Sequence, residues 1–186
     1  MKSISEQLRA IRVSRTDIDQ QPAATAGDYG LLLLRITFGL LMIGHGSQKL
    51  FGFYGGDGGD GLTETARSFA SLGYRPGTLF AVLAGISEIG GGLGLILGVL
   101  TPLASAIIVG VMINAMVNIH AQHGLWVAEG GLEYTMSIAV VALALAAIGP
   151  VRIALDRYFR WGKGGWREAG TALGLGGIGS AIVLSL

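Results

Sequence analysis

The chain has no cysteine. That excludes disulfide frameworks, cysteine-ligated metal or iron–sulfur centres, and any thiol relay within the chain. Redox chemistry here would need a bound cofactor or a partner to move the electrons. Charge is also scarce. Asp, Glu, Lys and Arg make up 13% of the 186 residues, against 51% hydrophobic residues, whereas charged side chains fill about a quarter of an ordinary soluble domain. With a mean hydropathy of +0.60, this is the composition of a membrane protein. Between Glu88 and Glu129 no Asp, Glu, Lys or Arg occurs, a gap that fits two membrane spans. No basic patch with interleaved aromatics is present, so no nucleic-acid partner is expected. The N-terminal segment lacks the apolar core of a signal peptide, and the first span is expected to direct its own insertion.

Taken in order, the sequence predicts an all-α membrane protein, a four-helix transmembrane bundle with a candidate fifth segment at its C-terminus. Residues 1–28 form a polar tail with Lys2, Arg9, Arg12 and Arg15, fitting a short interfacial helix or a solvated segment. The first span runs from about Tyr29 to Leu50. A glycine-rich loop with Asp57 and Asp60 follows. It lacks the third acidic ligand and the closing Glu of a calcium loop, so no metal is expected. Leu62 to Leu72 reads as a short amphipathic helix, and Thr78 to Leu100 as the second span. After the Thr101-Pro102 corner, a third span continues to about Ile119. Leu132 to Ile148 reads as the fourth, closed by Gly149-Pro150.

The basic segment Arg152, Arg157, Arg160, Lys163 and Arg167 then matches the basic N-terminal flank. By the positive-inside rule both flanks lie in the cytoplasm, giving a multi-pass membrane protein with a cytoplasmic N-terminus. Residues 29–158 are thus the membrane domain, and 159–186 a basic linker and glycine-rich apolar tail. In that tail the Gly170/Gly174 spacing would allow a closely packed fifth span.

Polar residues inside the spans are the main anomaly. Ionisable groups there are costly and usually mark ligand or proton pathways. From the helical rise, His45 and Lys49 lie roughly 6 and 12 Å to the outer side of the first span's centre, and Asn114 and Asn118 roughly 4 and 10 Å outward in the third. Glu88 falls near the middle of the second, and Glu133 at the outer start of the fourth. Glu88 shares its face with Ala81, Ala84, Gly85, Gly91 and Gly92, small residues that admit a neighbouring helix. His45, Gln48, Lys49, Glu88, Asn114, Asn118 and Glu133 are therefore expected to line one outer-half ligand pocket, with His45 and Glu88 as candidate catalytic groups. The competing reading is structural: a Lys49–Glu88 salt bridge fixing helix register, with amides as interhelical glue. At 100° per residue His120 falls about 120° from Asn114, off that face. Arg35, on the inner side, is read with Asp156 as a structural tie. Met42, Met112 and Met116 read as core filling.

Several short motifs recur together: Arg35-Ile-Thr-Phe-Gly39, Gly44-His45-Gly46 with Lys49-Leu-Phe-Gly52, Glu88-Ile-Gly90-Gly91, Asn118 to His120, Gly131 with Glu133-Tyr134, and Gly149-Pro150 before Leu155-Asp156. As a set, over residues 30–156, they resemble the DoxX family of small bacterial membrane proteins. Val151 and Ala154 stand where that family often has Gly and Ser. The resemblance implies a four-helix bundle associated with respiratory or stress-related oxidoreductase systems, such as the small subunits of thiosulfate:quinone oxidoreductase. The expected function is then a membrane subunit of an oxidoreductase complex, not catalytic alone, whose pocket binds a quinone or similar small redox molecule. Its expected partners are the lipid bilayer and a protein of that complex. The alternatives are a non-enzymatic scaffold or assembly factor and, third, a solute pathway, which would need a homo-oligomer.

Overall fold

The computed structural model describes residues 24–53, 60–159 and 163–186. The expected N-terminal interfacial helix, most of the glycine-rich loop and Arg160 lie outside these residues. Regular structure among the described residues is helical, in six α-helices. α1 is Ala26–Phe51, α2 Gly61–Ser71, α3 Gly77–Leu97, α4 Thr101–Ala115, α5 Glu133–Ile148 and α6 Trp166–Leu184. α4 continues outward through a π-helical turn, Met116–His120, and a 3-10 turn, Ala121–His123. Three helical stretches are long and apolar enough to cross a membrane: α1, α3 and Thr101–His123. α5, with 16 residues, is about 24 Å long by its helical rise and falls short of a typical ~30 Å hydrocarbon core.

Local chemistry sets the ends. α1 begins three residues before the expected span because Thr25 and Asp28 form a capping box, each side chain satisfying the other's backbone N–H. Gly52 ends α1 and Gly98 ends α3, both in the left-handed conformation, with φ of 70° and 60°. Pro102 sits in the first turn of α4, where its missing N–H costs no hydrogen bond.

α1 and α3 pack antiparallel through two glycine pairs. A Cβ on Gly46 would lie 2.6 Å from the Gly85 carbonyl oxygen, and one on Gly92 would lie 2.5 Å from that of Gly39. The backbones therefore touch, as small residues permit in membrane helix pairs. α4 and α5 complete the bundle around Met42, Leu95, Ile108, Met112, Ile138 and Leu145. Met42 and Met112 thus do fill the core, with Met116 packed at its edge.

At the end of the bundle where α3 finishes, the guanidinium of Arg35 donates to the carbonyls of Leu95 (2.7 Å), Ile96 (3.0 Å) and Ile153 (2.8 Å). The Ile96 carbonyl is one that the end of α3 leaves over, whereas that of Leu95 also accepts from the Gly98 N–H. Asp156 accepts from the backbone N–H groups of Leu100 (2.8 Å) and Thr101 (2.7 Å), placing a carboxylate at the start of α4. Arg35 and Asp156 form no ion pair with each other. Instead each holds the backbone of the same α3–α4 corner.

The glycine-rich tail is helical and packs along α4. Ala106 meets Ala172, Gly110 meets Gly176, and Asn114 meets Ser180. The partners advance together by four residues, so α6 runs parallel to α4 and shares its depth.

The glycine contact between α1 and α3 predicts a contrast within one helix. Gly44 has nothing within 4 Å of an added Cβ, whereas Gly46 abuts Gly85 and Ile89. Gly46→Val should cost about 1–3 kcal/mol more than Gly44→Val, read as a lower melting temperature in detergent. Equal losses would mean that the two backbones are not in contact.

Candidate functional site

The helices bring most of the intramembrane polar residues to one cavity of about 800 Å³ at the end of the bundle where α1 finishes and α3 begins. His45, Gln48 and Lys49 reach it from α1, Glu88 from α3, and Asn114 and Asn118 from α4 and its π turn. α2 covers that end of the cavity with Glu64, Thr65 and Ser68. α2 is pinned rather than loose: Gly61 packs on the end of α1, and Gly77 at the start of α3 packs on Ala66.

Three polar groupings occupy the chamber. The Lys49 ammonium lies 2.8 and 3.0 Å from the two carboxylate oxygens of Glu88. Glu88 is 3% exposed while Lys49 keeps 26%, so the pair is a buried carboxylate held by a cation at the cavity wall. His45 Nε2 is hydrogen-bonded to the Tyr134 hydroxyl at 2.9 Å, with the rings edge to face. The third grouping is a chain. Asn118 donates to the Tyr74 oxygen at 2.6 Å, Tyr74 donates to Asn114 at 2.6 Å, and Asn114 donates to the Ser180 hydroxyl at 2.8 Å. Tyr74 lies outside the spans, and burial pushes its phenol above the usual range, so it stays protonated as the donor in this chain.

Two placements differ from expectation. Glu133 does not line the cavity; its carboxylate accepts from the backbone N–H of Val127 at 3.0 Å and fastens the preceding loop to the start of α5. His120 does line it, with Nδ1 2.6 Å from the Gly130 carbonyl oxygen. His120 closes the π turn Met116–His120 immediately before the 3-10 turn Ala121–His123. It therefore stands where the regular 100° step no longer applies, and its Nδ1 contact with Gly130 sets its place instead.

Tyr74, Tyr134 and Ser180 had not been picked out as site residues. Tyr74 sits in a turn with no periodic signal, between Gly73 and Arg75-Pro76. Tyr134 is adjacent to Glu133 and one helical step of 100° places it on the inward face instead. Ser180 had one readable sign, since Ala172, Gly176 and Ser180 form a small-residue stripe at four-residue spacing.

Chemically, the chamber sets a hydrogen-bonded imidazole–phenol pair beside a charge-neutralised carboxylate, with apolar walls beyond. Removing one partner of a buried ion pair strands the other. Lys49→Met should therefore lower stability by up to ~3 kcal/mol, and the double change Lys49→Met with Glu88→Leu should recover most of that loss. Unfolding in mixed micelles measures both. A double variant less stable than the single one would mean that Glu88 has another partner.

The DoxX family model matches residues 30–121, the stretch that supplies His45, Lys49, Glu88, Tyr74, Asn114 and Asn118 to the chamber. Comparisons with curated proteins and with solved structures returned no match. The motifs, the helical membrane-type fold and this match agree, and through residues 30–121 the chain belongs to the DoxX family.

Proposed function

We propose that the chain is a membrane subunit of an oxidoreductase complex whose outer-half chamber binds a quinone or similar small redox molecule. The observation that carries this reading is the cavity itself. Its volume of about 800 Å³ lies within the usual ~300–1,000 Å³ of small-molecule sites, and it joins apolar walls to a few convergent polar groups. A ring held there would have its oxygens near His45–Tyr134 and Lys49–Glu88. Conversion of a quinone to the quinol takes up two electrons and two protons. The His45–Tyr134 pair is arranged to pass protons at the ring oxygens, and the Lys49 ammonium to stabilise negative charge there. The electrons come from a protein partner carrying the redox centre, because the chain has no cysteine to ligate one.

Quinone binding to the full chain in nanodiscs tests this directly. Glu88→Gln and His45→Ala should each weaken binding about ten-fold or more, the loss expected when a charged or polar contact in a site is removed. No binding by the wild-type chain would end the reading.

A second reading has its own support, since each of the three groupings is satisfied internally. In a scaffold or assembly factor the cluster would only hold the helices. That role predicts that Glu88→Gln lowers stability in detergent while leaving the activity of the assembled complex unchanged.

The orientation we adopt has the N-terminus in the cytoplasm of a bacterial inner membrane. The outer rim then carries Phe51, Phe53 and Trp126, and the inner rim Tyr158, Phe159 and Trp166, all largely exposed, as aromatic belts at two interfaces. The lack of native cysteine makes the test clean. Ala128→Cys should react with a membrane-impermeant thiol reagent on intact cells, and Lys163→Cys only after lysis. The reverse pattern would invert the topology.

A further inference from the structure

The cavity is much longer than a redox ring requires. Its α4 wall is the stripe Leu103, Ile107, Val111, Asn114 and Asn118, steps of three and four residues along one face. From Leu103 to Asn118 this stripe covers about 22 Å by the helical rise. Its outer third carries the two amides, whereas its inner two-thirds carry only aliphatic groups. α3 contributes Leu83 and Ala84 to one side, and α6 contributes Leu175, Gly179 and Val183 to the other. By the Gly94–Ala104 and Gly110–Gly176 contacts, Leu83, Ala84, Gly179 and Val183 stand level with the amides. The result is an opening between α3 and α6 at the polar chamber, continued inward along α4 beside Leu175 as an apolar groove.

The sequence keeps this groove open. An added Cβ on Gly179 would meet nothing within 4 Å, so the wall is indented where most membrane helices would place an aliphatic side chain. Nearby, Gly176 touches the Ala106 carbonyl backbone, which holds α6 against α4 at that depth. Leu83 and Leu175 remain about half exposed, at 48% and 51%, so the groove opens sideways to the hydrocarbon rather than to water. α2, pinned at both ends, closes the outer route.

We infer that the site takes a single-tailed amphiphile from the bilayer, with its polar head in the His45–Glu88 chamber and its long isoprenoid or alkyl tail in the α3–α6 groove. The inference rests on the proposed quinone reading for the identity of the head, and adds that the tail is a recognised part of the ligand. It also gives α6, which lies beyond the matched residues 30–121, a role in binding. A polar head with no tail would leave some 12 Å of apolar groove, Leu103 to Val111, for bulk lipid to fill. A tail that occupies it removes apolar surface from contact with disordered lipid and positions the head against the polar groups.

The test is photolabelling of the full chain in nanodiscs. The first probe is a decyl-tailed benzoquinone with a diazirine at the tail end, and the second is a fatty alcohol of equal length with the same tag. The expected result for the quinone probe is label concentrated on peptides spanning residues 103–111 and 175–183. Ile107→Trp, which fills the inner stripe of α4 about two helical turns from Asn114, should reduce that label at least ten-fold. Excess unlabelled decyl benzoquinone should displace it, and excess tailless benzoquinone should displace it weakly. Label spread evenly over lipid-facing residues such as Leu33 and Leu40 of α1 would overturn the inference. So would label that is localised but indifferent to Ile107→Trp. Head binding by tailless benzoquinone with no localised tail label would leave the quinone reading standing and remove only the groove. Localised label from the fatty alcohol alone would uphold the groove and remove the redox reading.

Discussion

Close approach of α1 and α3 is the constraint on which the remaining contacts depend. Glycine faces glycine at Gly39–Gly92 and Gly46–Gly85, and the two backbones come near enough for a lysine on one helix to hold a carboxylate on the other. Lys49 lies one turn beyond Gly46, and Glu88 one turn beyond Gly85. In a low-dielectric bundle neither charge is tolerable alone. Helix packing and the ion pair therefore support each other: the glycines set the separation, and the pair penalises any slip in register. The same contact brings Arg35 under the end of α3, where its three hydrogen bonds tie the α3–α4 corner.

The protein separates its polar work by depth. The end where α3 finishes uses charge for architecture: Arg35 takes up carbonyls and Asp156 takes up N–H groups of one helical corner. The cavity end sets amides, phenols and an imidazole beside the Lys49–Glu88 pair. Arrangements of the first kind leave nothing for a ligand, since every strong donor and acceptor is spent on backbone. The groupings at the cavity differ because their partners are side chains at its wall, which can exchange a partner for a ligand without unwinding a helix.

α6 changes the shape of the site more than its polarity. Its contribution to the polar chain is one hydroxyl, Ser180 on Asn114. Its larger effect is to stand beside α4 and turn an open crevice against α3 into a groove. The glycines that lower its helix propensity are what permit this, because a leucine-rich helix could not lie so close to Ala106 and Gly110.

Hydropathy and charge spacing alone determined the class of protein, the order of the apolar helices and the short helix before α3, because burial in lipid acts on each segment through its own composition. The grouping of His45, Lys49, Glu88, Asn114 and Asn118 at one cavity was also readable, since a regular helix converts residue number into relative depth and facing. The rest was decided by tertiary structure. The π turn carrying His120 departs from the regular helix that such conversion assumes. Tyr74 and Ser180 reach Asn114 only through contacts 40 and 66 residues apart in the chain. Glu133 has the right depth but turns to a loop whose N–H group it satisfies. Arg35 and Asp156 serve one corner without meeting, since backbone groups left over at helix ends offered both of them nearer partners than each other.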